Sequence, residues 1–254
     1  MGIALAIASG KGGVGKSQAA INLGSALAMR GKSVIIVDAN LPAPDLSMYL
    51  DVRCTVTLND VLTGKAKAEE ATYSCSLDGL QIMPANTQIT AANVFSERNF
   101  GSLVQQLKRN NDFVIIDTAP GLSEDVTATL RQVDEVLLIS TPEHVSLVDA
   151  FKTSIVSQAV KTDVYGVIIN RAGRFKGEAE EREIKAILDE SKILGRIPED
   201  TSVPVSSRKL EPVIIAFPHS PAARAFKRIA ARMVGEHYEE NPVRERLLHF
   251  LNMR

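Results

Sequence analysis

Cysteine is scarce in this 254-residue sequence: Cys54 and Cys75 are the only two, and they show no CxxC spacing. That pattern excludes a disulfide framework and a metal cage built on paired thiols, and it fits two ordinary thiols in a reducing cytoplasm. Charge of one sign is lacking as well. The 29 basic residues are matched by 30 acidic ones, which argues against nucleic-acid binding driven by the field of the whole molecule and leaves room only for a local basic patch. Long apolar runs are missing, since none approaches the roughly 20 residues of a transmembrane helix. The apolar start "MGIALAIASG" has no basic leader and passes straight into a glycine loop, so it reads as a strand and not as a signal peptide. Internal repeats, low-complexity tracts and linkers are absent too.

What is present is core-forming material, 45% of the residues in a chain of 27.5 kDa, enough for one large domain. Short β-branched runs recur at 3–8, 33–38, 80–85, 113–117, 135–140 and 164–170, with a weaker one at 192–198. They are apolar at consecutive positions, as strands covered on both faces require. Helical lengths lie between them at 17–30, 97–109, 143–160, 178–190 and 220–234, and Gly31 and Gly235 stand where helix stops are expected. The expectation is an α/β fold, a mostly parallel twisted sheet of about seven or eight strands with helices on both faces, over 1–235, followed by a tail over 236–254. Ligands of such sheets bind beyond the carboxyl ends of strands, and polar and glycine residues concentrate there.

The strongest such segment is "SGKGGVGKSQAAINLG". Gly10, Gly15, Lys16 and Ser17 match GxxxxGK[ST] between a strand and a helix, the context that motif needs. A chance match in a chain of this length has a probability on the order of 1%. Gly10, Gly12, Gly13, Val14 and Gly15 let backbone N–H groups point at phosphate oxygens while the helix that follows adds its positive end. Lys16 would neutralise the β- and γ-phosphates of ATP, the Ser17 hydroxyl would ligate Mg²⁺, and Gln18 follows directly. This assigns the fold to the P-loop NTPases.

Lys11 lies outside the ordinary motif. The run "KGGVGKS" resembles the deviant Walker A loop of the MinD/ParA family of ATPases, whose extra lysine reaches the partner subunit's nucleotide in a dimer formed around ATP. The resemblance implies that role for Lys11 and an ATP-dependent homodimer. It runs from residue 1 to about 235 and is closer to MinD proteins than to plasmid ParA proteins, as in "VIIAFPHSPAARAFKRIA". "VIIDTAPG" supplies Asp117 for Mg²⁺ through water, and a turn at Gly121 suited to sensing the γ-phosphate. "IINR" and "IPED" look like the adenine-contacting segments, giving Asn170, Arg171, Pro198 and Asp200; a polar strand end explains the same letters. "TPEHVSLVD" resembles a dimer-interface segment at Pro142, Glu143, Ser146 and Asp149, and equally reads as a helix start.

One position departs from the family. In "VDANLPAPDLSMYL" Asp38 is retained and implied in the Mg²⁺ shell, but Asn40 stands where the family has an aspartate that orients or activates the attacking water. An amide cannot accept a proton as a carboxylate does. Three outcomes are open: Asn40 orients the water by itself, Asp45 supplies the carboxylate, or hydrolysis is very slow, as in a substitution that traps the ATP-bound dimer.

In the tail, "NPVRERLLHFLNMR" places Val243, Leu247, Phe250 and Leu251 on one helical stripe with Arg244, Arg246 and Arg254 beside it. It resembles the C-terminal amphipathic helix by which MinD proteins bind anionic membrane, and a terminal helix docked on protein fits the same pattern. The leading expectation is a MinD-like ATPase positioning cell-division or other polar machinery, cytoplasmic with reversible attachment to the inner membrane face, and answering to a regulatory protein partner. A ParA-like DNA-segregation ATPase and a nonhydrolysing ATP-binding scaffold are the alternatives. A metal-cluster ATPase is disfavoured by the cysteine spacing.

Overall fold

A computed structural model of the chain describes residues 1–86 and 95–238. The consecutive apolar runs form strands because each has an apolar layer on both sides. They are β1 (Ile3–Ala8), β2 (Val34–Ala39), β3 (Tyr73–Ser74), β4 (Leu80–Met83), β5 (Phe113–Thr118), β6 (Glu135–Ser140), β7 (Asp163–Ala172) and β8 (Ile193–Pro198). Their order across the sheet is β3-β4-β2-β5-β1-β6-β7-β8. Every pairing is parallel except the antiparallel edge contact of β3 with β4.

The helices are α1 (Lys16–Ala28), α2 (Leu46–Tyr49), α3 (Leu58–Leu62), α4 (Glu97–Asn110), α5 (Glu124–Leu130), α6 (His144–Ala159), α7 (Glu181–Ile187), α8 (Ser202–Arg208), α9 (Val213–Ala216) and α10 (Pro221–Met233), with a 3₁₀ turn at Ala68–Ala71. Alternate strand residues feed opposite layers. Leu5, Ile7, Val34 and Ile36 pack with α1, α9 and α10 on one face. Ile35 and Val37 pack with α3 and α4 on the other, where Ala6, Ala8, Val136 and Leu138 meet α5, α6 and α7. Helix α1 is buried nearly all round, which its run of alanines and Gly24 permits: a Cβ at Gly24 would stand 2.9 Å from Ile36 Cδ1.

The expected helix over 178–190 is shorter than its pattern. Glu178 is held out of it, its carboxylate accepting the N–H groups of Gly173, Arg174 and Phe175. Asp189 and Glu190, at φ 50° and 57°, turn the chain away at the other end. Gly31 and Gly235 do end helices, at φ 74° and 70°. The tail helix expected over 243–254 lies outside the described residues.

β1 occupies the middle of the sheet, between β5 and β6. In register, Asp117 stands beside Ile7 on one side and Asp38 on the other, so the carboxyl ends of β1, β2 and β5 deliver a loop and two carboxylates to one place.

Candidate active site

The loop from Gly10 to Ser17 joins β1 to α1, and its glycines are there for separate reasons. Gly13 and Gly15 adopt φ 76° and 95°, a region that side chains resist. Gly10 permits close approach: a Cβ on it would lie 2.5 Å from the carbonyl oxygen of Asp149 on α6. Val14 is buried, and its carbonyl accepts a 2.8 Å hydrogen bond from Asn170 Nδ2 at the end of β7. The curled loop therefore presents the free N–H groups of the α1 N-terminus to the space above the sheet, a ready anion site.

Lys16 is 8% exposed and donates to Ser9 Oγ at 3.1 Å. Burial lowers its pKa, while the carboxylates of Asp117 and Asp45 work in the opposite direction. Asp117 is completely buried. Burial pushes its carboxyl up to about 7, against the Ser17 hydroxyl and Lys16, which pull it down. Both Asp117 oxygens nevertheless lack a hydrogen-bond partner within the chain. A buried, unpartnered carboxylate next to a hydroxyl and an ammonium is what a hydrated Mg²⁺ bound with phosphates would satisfy. Among the described residues no group of three or more His, Cys, Asp or Glu could hold a metal alone, so such an ion would depend on the nucleotide for most of its ligands.

Asp38 has a different environment. Its carboxylate accepts the N–H groups of Asn40 at 3.2 Å, Asp45 at 3.1 Å and Leu46 at 3.2 Å, folding the segment after β2 around itself. Burial and then the neighbouring Asp117 push it up to about 8. Asn40 is turned into the same loop: its Nδ2 donates to the carbonyl of Ala43 at 2.7 Å, and its Oδ1 is buried without a partner. Asp45 faces the phosphate loop. Burial raises its pKa, the Ser17 hydroxyl and Lys16 lower it, and its buried Oδ1 has no partner.

Lys11 stands apart from this cluster. It is 45% exposed and pairs at 3.3 Å with Glu143, just before α6. Gly121, at φ 87°, donates its N–H to the carbonyl of Ser9 at 3.0 Å, tying the turn after β5 to the start of the phosphate loop. Ser146 is buried and serves its own helix start, accepting the N–H of Thr141 at 3.1 Å.

On the other side of the loop lies a cavity of about 340 Å³ whose walls include Gly15, Gln18, Asn170, Arg171, Pro198 and Asp200. These are the positions that the sequence points to for a base. Arg171 sits at φ 57° with its guanidinium 4.0 Å from Glu199. Asp200 carries a further task, accepting the N–H of Ser202 at 2.8 Å and of Ala222 at 2.9 Å and so holding the starts of α8 and α10. Sequence reasoning passed over Ser9, which sits one residue ahead of the motif, and Tyr49, Val203 and Ser207, which also line the cavity. Short helices in polar segments carry little periodicity by which to find them.

The ParA family model, described as NUBPL iron-transfer P-loop NTPase, matches residues 2–234. An uncharacterised ATP-binding protein of Methanocaldococcus jannaschii is 35% identical over 243 residues, covering 94% of this chain and 90% of that protein. The chain belongs to the MinD/ParA family of P-loop ATPases. Among solved structures, the septum site-determining protein MinD of Pyrococcus horikoshii, complexed with Mg-ADP, is similar with a TM-score of 0.87 and 30% identity, over 92% of this chain and 96% of that one. The MinC:MinD cell division complex of Aquifex aeolicus matches with a TM-score of 0.82 and 28% identity, over 93% and 98%. The eight-stranded sheet and its helices are thus a MinD-like P-loop fold. Among the described residues no helix is long and apolar enough to cross a membrane. Of the two cysteines, Cys75 packs against the core, its thiol pushed up to about 11 by burial.

Proposed function

We propose that this MinD/ParA-family protein is an ATP-operated dimerisation switch, MinD-like in reading out its state as reversible attachment to an anionic membrane surface. The observation that carries the reading is the separation of the two loop lysines. Lys16 is buried against Asp117 and Asp45, while Lys11 stands exposed beside Glu143. A lysine placed outside its own phosphate site and held only by an exposed ion pair can be redirected to a neighbour's.

In each subunit the α1 N-terminus and Lys16 bind the triphosphate, and Asn170 and Arg171 take the base. Ser17, Asp117 and, through the loop it organises, Asp38 would hold Mg²⁺. The ion, when bound, neutralises charge on the phosphates. Lys11 adds its charge across the dimer, where phosphoryl transfer is helped by positive groups more than by a base.

Hydrolysis is slow as the chain is written. The Asn40 amide is anchored to Ala43 and can neither take a proton nor move freely to a water. Asp45, beside Ser17 and Lys16, offers the remaining carboxylate. Single-turnover hydrolysis compared with Asn40→Asp tests this: the variant should be faster by an order of magnitude or more, and equal, brisk rates would overturn the reading. Asp45→Asn should remove most of the residual rate.

The membrane contact is assigned to residues 243–254, in keeping with the stripe of Val243, Leu247, Phe250 and Leu251. One short amphipathic segment would bind weakly, and a dimer presenting two would gain avidity. Co-sedimentation with anionic liposomes should require ATP and be lost on truncation at Asn241; binding indifferent to both would reject the assignment. The cargo of such a switch would be cell-division or other polar machinery, reached through a protein partner; the MinD of Aquifex aeolicus forms a complex with MinC.

A further inference from the structure

The segment after β2 reaches both ends of the nucleotide site. Asp45, at the start of the one-turn helix α2, faces Ser17 and Lys16. Tyr49, at the end of the same turn, lines the cavity that also holds Asn170, Arg171 and Pro198. At 1.5 Å of rise per residue the two lie about 6 Å apart along the helix.

We propose that Tyr49 is a nucleoside-contacting, specificity-determining residue, a wall of the base pocket carried by the same segment that faces the phosphates. This rests on the reading of that cavity as the base site. Tyr49 is half-buried, packing against the core, and its ring gives an adenine or ribose an apolar, polarisable surface in the cavity that Asn170 also lines. The phenol has a partner in place: the Gln18 side chain interacts with it. Gln18 in turn donates to Ser207 Oγ at 3.2 Å and accepts from Asn22 Nδ2 at 3.3 Å. Asn22 is fully buried and its Oδ1 takes the N–H of Ile214 at 3.3 Å. Tyr49 is therefore positioned through a polar chain running into α1, α8 and α9, so the segment whose Asp45 faces the phosphates also holds a ring in the base pocket.

The chain has no tryptophan and four tyrosines, so tyrosine emission is read without interference from indole, and the difference between the unaltered protein and Tyr49→Phe isolates the Tyr49 share. ATP should quench part of that emission, and inorganic tripolyphosphate should not. Tyr49→Phe should lose the ATP-dependent quench while keeping ATP affinity within about threefold, because the ring remains. Tyr49→Ala should weaken ATP about tenfold and leave tripolyphosphate unchanged; an aromatic contact of about 1–1.5 kcal/mol corresponds to that fold-change. A quench that persists in Tyr49→Phe, or an unchanged ratio of ATP to tripolyphosphate affinity in Tyr49→Ala, overturns the proposal. Arg171→Ala, at a residue that lines the cavity without touching the phosphate loop, separates the two levels. If it weakens ATP relative to tripolyphosphate and Tyr49→Ala does not, only the role of Tyr49 falls; if neither does, the base-pocket reading falls with it.

Discussion

Asp117, Asp38 and Asp45 are three carboxylates within one site, and their surroundings give them different work. Asp117 keeps both oxygens unpartnered, Asp38 accepts three backbone N–H groups, and Asp45 faces the loop hydroxyl and ammonium. The phosphate-loop motif points to Ser17, and it gives weight to Asp117, which alone would carry little because apolar runs that end in aspartate are common. It could not rank Asn40 against Asp45, since that turns on which side chain the loop holds down. Asp200 makes a related point: the letters "IPED" mark the pocket but conceal a cap. Burial pushes the Asp200 carboxyl up, but the N–H groups of Ala222 and Ser202 and the Ser202 and Ser220 hydroxyls outweigh it and hold it below the usual range. A depressed carboxylate stabilises the fold above its unfolded pKa of 3.8, and that stabilisation fades as pH falls through its lower folded value. Asp200→Asn should cost about 1 kcal/mol at pH 7, the scale of a helix cap. In urea denaturation the gap between the two proteins should narrow only below pH 4.

At the scale of elements, the seven apolar runs all became strands because fully buried parallel strands have no polar alternate positions to blur the pattern. The edge strand β3 was missed, being two residues long and antiparallel to β4. So were α2, α3, α5, α8 and α9, none longer than seven residues, too short to show a 3.6 period. The longer α10 was legible from both ends. Ser220 accepts the N–H of Ala223, Pro221 opens the first turn, and Gly235 follows. It covers α1 and β8 with Phe226 and Ile229, both nearly inaccessible to solvent. Phe226→Ala should destabilise by about 3–5 kcal/mol, the loss of a large buried side chain plus the cavity it leaves. Gly10→Ala acts by collision, driving the phosphate loop and α6 apart where a Cβ would meet Asp149. It should weaken ATP binding at least tenfold while costing about 1–3 kcal/mol of stability. Isothermal titration of ATP beside thermal unfolding separates the two effects.

For the molecule as a whole, near-neutral net charge leaves association to local pairs, and the pair that matters is Lys11 with Glu143. Within one chain these side chains meet at 3.3 Å while 45% and 34% exposed. A dimer that uses Lys11 on the neighbouring nucleotide has to break this contact first, so Glu143 competes with the partner's phosphates for the same ammonium. The competition is weak, because solvent screens an exposed pair to below about 1 kcal/mol. Glu143→Gln should therefore tighten the ATP-dependent dimer by no more than about fivefold for each of the two contacts a symmetric dimer breaks, about 25-fold in all, with the smallest gain at high salt where the pair is already screened. Lys11→Ala should abolish the dimer at any salt while ATP still binds the monomer. Sedimentation velocity in a nonhydrolysable ATP analogue, at two ionic strengths, reads both variants. A dimer that survives Lys11→Ala, or that Glu143→Gln weakens, would mean that Lys11 and Glu143 cooperate across the interface or stand outside it, and the competition argued from the single chain would be wrong.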